Sequence, residues 1–201
     1  MRKKLVIFDF DGVLVQSLDL WFDITQENNP TITRSEYEAM SYGNYIDAFE
    51  QKKLVYSEES LEAYSTSLLE MKIPKEIISF VKSNSNKYLY TIVSSGNEIT
   101  IKKILEKEGI EHHFEDILGG QTHRNKTVKI SGLLEKNQLE NKDAVFITDT
   151  LGDLLESREA GVKTVGVLWG LHSREVLEKG TPEIIVDSPS FLEEAIHTLL
   201  K

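Results

Sequence analysis

The chain has 201 residues, of which 33 are acidic and 23 basic, for a formal charge of −10, and it contains no cysteine. That length holds one domain, or one domain carrying a smaller insertion, and buries roughly 70 % of the extended chain's surface without a metal or disulfide. Lack of cysteine excludes thiolate–zinc sites, iron–sulfur clusters, disulfide scaffolds and thiol nucleophiles, and the acidic balance argues against nucleic-acid or anionic-membrane partners.

The start, Met1-Arg2-Lys3-Lys4 before Leu5-Val6-Ile7-Phe8, looks superficially like an export signal, but Asp9 and Asp11 end the apolar run at Phe8, too early for a signal core. No apolar run approaches the roughly 20 residues needed to cross a bilayer, so a soluble cytoplasmic protein is expected. Leu5–Phe8 reads as the first strand, buried on both faces. Phe8-Asp9-Phe10-Asp11-Gly12 follows it directly. Residues i and i+2 of an extended segment share a side, and Gly12 lets the chain turn away. Two carboxylates so close repel unless a cation separates them, and Mg²⁺ suits an all-oxygen site. The bland alternative is a solvated turn.

From about Gln16 to Ile73 no strand pattern occurs, and helical patterns cover Leu18–Glu27, Arg34–Lys53 and Ser57–Met71. A crossover between parallel strands needs only about a dozen residues, so this stretch reads as a helical insertion. Residues 16–76 hold 12 acidic and 5 basic side chains, a net of −7, which is most of the chain's excess negative charge.

Leu89–Val93 is the next strand, running into Ser94-Ser95-Gly96-Asn97. Hydroxyls and N–H groups where a strand meets a helix form an anion site; an N-cap by Ser95 or Asn97 is the structural alternative. A helix over Glu98–Glu108 places Ile101, Ile104 and Leu105 on one face and stops at Gly109. His112-His113 lacks a metal-ligand partner at helical spacing, and His172 and His197 read as surface or helix-terminal groups. Lys126 stands in a polar loop before a helix over Thr127–Leu139; it can meet a phosphoryl oxygen as a point charge, with Lys129 a rival and Arg124 a weaker candidate. The sequon Asn125-Lys126-Thr127 reads as chance.

Ala144–Ile147 is a further strand, and Asp149 and Asp153 follow it at the start of a helix over Leu151–Ala160 that ends at Gly161. Positions i and i+4 share a face, so both acids point back to the sheet while Leu154 and Leu155 turn inward; helix capping by either acid is the alternative. Strands over Thr164–Leu168 and Ile184–Val186 complete the pattern, with Trp169 as core or pocket wall. Alternating strands and helices predict an α/β fold, a doubly wound parallel sheet.

Together these motifs resemble the haloacid dehalogenase superfamily of Mg²⁺-dependent phosphohydrolases, over nearly the whole chain. Phe8-Asp9-Phe10-Asp11-Gly12-Val13-Leu14 is similar to its first motif, Ser94 to its second, Lys126 to its third and Asp149-x-x-x-Asp153 to its fourth. The segment from Glu159 to Gly170 and the insertion resemble the phosphoglycolate-phosphatase branch. The resemblance implies a Rossmann-like core over 1–15 and 77–201 and a helical cap over 16–76. It implies that Asp9 attacks phosphorus and Asp11 serves as acid and base. Mg²⁺ would be held by the Asp9 carboxylate, the Asp11 carbonyl and Asp149, with Asp153 acting through water. Ser94, Ser95 with Gly96, and Lys126 would take the phosphoryl oxygens. Thr148 and Gln16 depart from the usual glycine and aspartate, and the third motif lacks a proline after its lysine. Trp21 stands where the β-phosphoglucomutase branch carries a cap histidine. The expectation is a phosphatase for a small phosphorylated metabolite; a phosphomutase and a non-catalytic phosphate-binding regulatory module are the alternatives. The acidic cap points to a substrate whose remainder is neutral or cationic rather than polyanionic.

Overall fold

The computed structural model describes residues 3–201; Met1 and Arg2, the start of the segment weighed above as an export signal, lie outside them. Six parallel strands form one sheet in the order β3-β2-β1-β4-β5-β6. They are β1 (Lys4–Phe8), β2 (Tyr88–Val93), β3 (Phe114–Leu118), β4 (Ala144–Thr148), β5 (Lys163–Val167) and β6 (Ile184–Val186). Phe8 pairs in register with Ile92 on one side and Ile147 on the other. The chain steps from β1 outward to β3, then returns to β4 and steps outward the other way. The crevice beyond the carboxyl ends of β1 and β4 is therefore the switch point where open α/β sheets bind ligands.

Alternation along β1 explains the two cores. Val6 and Phe8 face a layer containing Ile77, Phe80 and Val81 of α5 (Lys75–Asn84), Ile101, Ile104 and Leu105 of α6 (Glu98–Lys107), and Leu192, Ala195 and Ile196 of α10 (Leu192–Leu199). Leu5 and Ile7 face Ile130, Leu133 and Leu134 of α7 (Lys126–Asn137), with Ala160 beyond the end of α8 (Leu151–Glu159). Both faces of β1 are covered, so it reads as an unbroken apolar run.

Five strands match the sequence reading closely, but β3 is additional. It is a half-buried edge strand whose Phe-Glu-Asp-Ile-Leu sequence carries two acids, so it lacks the apolar run of its buried neighbours. Helices α5, α10 and the short α9 (Arg174–Glu178) also lie outside that reading.

Between β1 and α5 lie α1 (Leu18–Asn28), α2 (Arg34–Met40), α3 (Tyr45–Lys52) and α4 (Glu58–Leu68). The single helix expected over Arg34–Lys53 is two. Thr33 and Glu36 form a capping box on α2, and Asn44 caps α3 by accepting from Ile46 and Asp47 N–H. The break between them has a use: Gly152 N–H, in the first turn of α8, donates to the Ser41 carbonyl at 2.8 Å. A Cβ on Gly152 would lie 2.0 Å from the Gly43 oxygen, so only glycine allows this approach. Helix α5 begins at Lys75, just ahead of the expected boundary at 76/77.

Candidate active site

At the end of β1, Asp9 N–H still donates to the Ile147 carbonyl at 2.9 Å, which keeps the chain extended alongside β4. Phe10 drops fully into the core, while Asp9 and Asp11 line one cavity. Gly12 then turns the chain with φ +74; a Cβ there would stand 2.0 Å from Asp149 Oδ2. Glycine is thus required twice over, for its backbone conformation and for the carboxylate beside it.

Asp9 Oδ1 accepts from Phe10 N–H at 2.7 Å, and its Oδ2 meets Lys126 Nζ at 2.9 Å. The same ammonium lies 2.8 Å from Asp153 Oδ2, which also accepts from the Thr148 hydroxyl at 2.8 Å. Thr148, the departure noted at this position, therefore ties down Asp153, five residues further on. Asp11 Oδ1 accepts from the Ser17 hydroxyl at 2.5 Å and the Tyr64 hydroxyl at 3.0 Å.

Burial pushes the Asp9 carboxyl well up, against the pull of Lys126 and with help from the Asp153 charge. Burial also raises Asp11, opposed by Ser17 and Tyr64. Asp153 is equally enclosed, yet Lys126 and its hydrogen bonds outweigh burial and hold it below the usual carboxylate range. Asp149 is pushed up to about 7 by burial, opposed by Leu171 N–H, which donates to its Oδ2 at 2.7 Å. Asp149 Oδ1 is buried with no hydrogen-bond partner among the described residues. An unpaired buried carboxylate oxygen is costly, so this atom calls for a proton or a cation. Among the described residues no three acidic or histidine side chains form a ready-made metal cage, but five carboxylates line the cavity, those of Asp9, Asp11, Asp149, Asp153 and Glu156, and the four aspartates supply the hard oxygen donors that Mg²⁺ takes.

Capping does not account for the second acidic pair. Thr150 caps α8 by accepting from Asp153 N–H at 3.2 Å, which leaves both carboxylates to the cavity. Leu154 is fully buried as expected, but Leu155 is 44 % exposed, because α8 covers the sheet with one face only. Ser94, Ser95 and Gly96 line the opposite wall. Asn97 caps α6, and Ser94 Oγ accepts from Gly96 N–H at 2.9 Å. A Cβ on Gly96 would lie 3.2 Å from Ser94 Oγ and 3.3 Å from Asp11 Oδ2, so the second oxygen of Asp11 faces this loop.

The two lysines separate cleanly. Lys126 reaches into the cavity. Lys129, one turn on, donates to the Ser94 carbonyl at 2.6 Å and is pushed down to about 8 by burial and the Lys126 charge. Arg124 pairs with Asp47 at 3.2 Å and Glu50 at 2.8 Å on α3, away from the acids. Trp169 belongs to the core, where its indole N–H donates to the Val13 carbonyl at 3.1 Å.

Of the surface and helix-terminal readings of His172, the structure overturns the first and bears out the second, at the start of α8. His172 is 3 % exposed, its Nδ1 accepts from Leu151 N–H at 2.9 Å, and Nε2–H donates to the Glu38 carbonyl at 3.1 Å. It is a neutral link between α8 and α2. Tyr64, Ser17 and Glu156 are further cavity groups or supports absent from the sequence reading. Glu156 had a usable signal, three residues after Asp153 on the same helix face; its two oxygens accept from Asn44 Nδ2 at 2.7 Å and Lys126 N–H at 3.0 Å.

Fold and cavity together define an α/β enzyme built on an open parallel sheet, with helices inserted over the sheet's carboxyl edge. The chain belongs to the haloacid dehalogenase-like hydrolases, whose family model matches residues 6–167. It is 26 % identical to a phosphoglycolate phosphatase of Vibrio cholerae, over 96 % of this chain and 96 % of that protein. Among solved structures, a Pseudomonas syringae hydrolase superposes with a TM-score of 0.80 at 15 % identity, covering 99 % of this chain and 100 % of that one. A Thermotoga maritima protein assigned as a β-phosphoglucomutase gives 0.72 at 17 % identity, covering 97 % and 99 %. At such identities these structures speak for the fold.

Proposed function

We propose that the protein is a Mg²⁺-dependent phosphatase that hydrolyses a small phosphorylated metabolite through an aspartyl-phosphate on Asp9. The observation that carries this reading is the meeting of Asp9 and Asp11 with Ser94 and Lys126 in one cavity at the switch point of the sheet. The cavity belongs to residues 1–15 and 77–201 below, and to residues 16–76, read as a cap, above.

An Asp9 oxygen forms a bond to phosphorus as the ester P–O bond breaks, and the Asp11 carboxyl gives its proton to the departing oxygen. A water then attacks phosphorus and passes its proton to Asp11, and the bond from phosphorus to Asp9 breaks to release inorganic phosphate. Ser17 and Tyr64 hold one oxygen of Asp11, which leaves the other for proton transfer beside the Ser94–Gly96 loop. Lys126 and the Ser94 hydroxyl neutralise and orient the equatorial oxygens, the main need in phosphoryl transfer. Mg²⁺ would be held by Asp9, Asp149 with its unpartnered Oδ1, and the Asp11 carbonyl, with Asp153 supporting them. When bound, it supplies positive charge that lets the phosphate dianion approach a cluster of acids.

A mutase also shares this fold, but Trp21, stacked on Tyr64 at 4.0 Å, offers no proton-transfer group where the mutase resemblance places a histidine. The test is p-nitrophenyl phosphate hydrolysis with acid quenching to trap phosphoenzyme. Turnover should require Mg²⁺, and Asp9→Asn should lose both turnover and acid-stable label. Activity indifferent to chelation and to Asp9→Asn would refute the mechanism.

A further inference from the structure

The roof of the cavity says what the rest of the substrate is. Trp21, Tyr37, Asn44, Tyr45 and Ile46 line its upper wall, and every residue that the insertion contributes there is uncharged. The cations that could have faced inward are committed elsewhere: Arg34 to Asp19 at 2.7 Å and Glu38 at 2.9 Å, and Arg124 to Asp47 and Glu50. Those pairs also occupy Asp19, Glu38, Asp47 and Glu50, and the lining of the upper wall itself offers no counter-charge of either sign. Among the described residues Lys126 is the sole cation lining the cavity, and it already faces Asp9 and Asp153.

The aromatic wall is also fixed in place. Trp21 stacks on Tyr64 with ring centroids 4.0 Å apart and lies 5.5 Å from Tyr56. Tyr56 is anchored by hydroxyl contacts of 2.7 Å to Thr25 and 3.2 Å to Tyr45. Tyr45 meets Tyr37 edge-on at 6.4 Å. A rigid aromatic surface rewards a ring or other flat apolar body, whereas a carboxylate held there would be desolvated without a partner. The cavity holds about 180 Å³, below the range of roughly 300–1,000 Å³ typical of pockets for drug-sized ligands, which suits a small body such as one ring beside the phosphoryl group.

Resting on the phosphatase reading above, we infer that the substrate is a monophosphate ester with a single, uncharged, ring-bearing leaving group, selected by Trp21, Tyr37 and Tyr45, and not a carboxylate-bearing one such as phosphoglycolate. Benzyl phosphate and 2-phosphoglycolate test this directly, since both leave through a primary alkyl oxygen and differ in ring against carboxylate. Benzyl phosphate should have the higher kcat/KM by at least about tenfold. Trp21→Ala should lower that value by about fivefold or more, with Trp21→Phe retaining most of it. Inhibition by inorganic phosphate, which reports the lower half of the cavity, should move by less than about twofold in both variants. Equal or faster turnover of 2-phosphoglycolate overturns the inference while leaving the phosphatase reading standing. Failure to turn over benzyl phosphate, 2-phosphoglycolate and p-nitrophenyl phosphate alike overturns both.

Discussion

Lys126 and Lys129 are identical in type, one turn apart, and both buried, yet their surroundings give them different work. Lys126 is flanked by Asp9 and Asp153, and their charges raise its pKa despite burial. Removing it leaves two facing carboxylates without compensation, a change that costs about 3–5 kcal/mol for a buried pair. Lys129 holds the Ser94 carbonyl, and losing one such bond costs about 1–3 kcal/mol. Lys126→Met should therefore lower turnover by about a hundredfold or more, while Lys129→Met should act chiefly on thermal stability, with turnover reduced by less than about tenfold. Steady-state kinetics and thermal unfolding of the two variants check this, and the reverse ranking would assign the phosphate contact to Lys129. The sequence left these two lysines as rivals because spacing alone does not say how a helix is rotated about its axis. Asp9, Asp11, Asp149 and Asp153 were legible because each follows a buried strand by a residue or a turn. Tyr64 was not, because it meets Asp11 only through tertiary packing, 53 residues away.

At the scale of elements, the same contrast holds for strands and for the insertion. Buried parallel strands announce themselves as apolar runs, but the edge strand β3 does not, since none of its residues is fully buried and two of them are acids. The break between α2 and α3 carries the Gly43-Asn44 signal of a helix start, but its purpose is visible only in three dimensions. Asn44 Nδ2 donates to Glu156 on α8 and, at 3.2 Å, to the Arg124 carbonyl, while the Arg124 side chain clasps Asp47 and Glu50. These contacts tie α3 to the segment leading into α7 and to α8 itself, where Lys126 and Asp153 arise. The Arg124 clasp is solvent-exposed, with its three side chains 46 %, 55 % and 62 % accessible, so it adds little to stability. Arg124→Ala should lower Tm by no more than about 4 °C. It should nonetheless raise KM several-fold and speed proteolysis between α2 and α3, because the roof is held less often over the cavity. Unchanged KM and an unchanged cleavage rate would show that the clasp does not position the roof.

For the whole molecule, the charge of −10 sets a problem that the proposed reaction must solve. A phosphate monoester is a dianion at neutral pH, and it approaches a protein whose roof alone carries −7 over residues 16–76. Close in, Lys126, the Ser94–Gly96 loop and a bound cation invert the local field. Further out, the summed field repels the substrate and slows encounter. Salt acts on the distant part far more than on the enclosed part, because the screening length shrinks from about 30 Å at 0.01 M to about 8 Å at 0.15 M while buried pairs are screened little. At fixed, saturating Mg²⁺, raising monovalent salt across that range should therefore raise kcat/KM for a dianionic substrate and leave kcat nearly unchanged. A cationic protein of the same fold would show the opposite trend. Initial rates at low substrate, measured in a salt series of constant pH, decide the matter. A falling kcat/KM would mean that short-range attraction at the cavity mouth outweighs the repulsion of the acidic roof, and that the excess negative charge has no part in how substrate arrives.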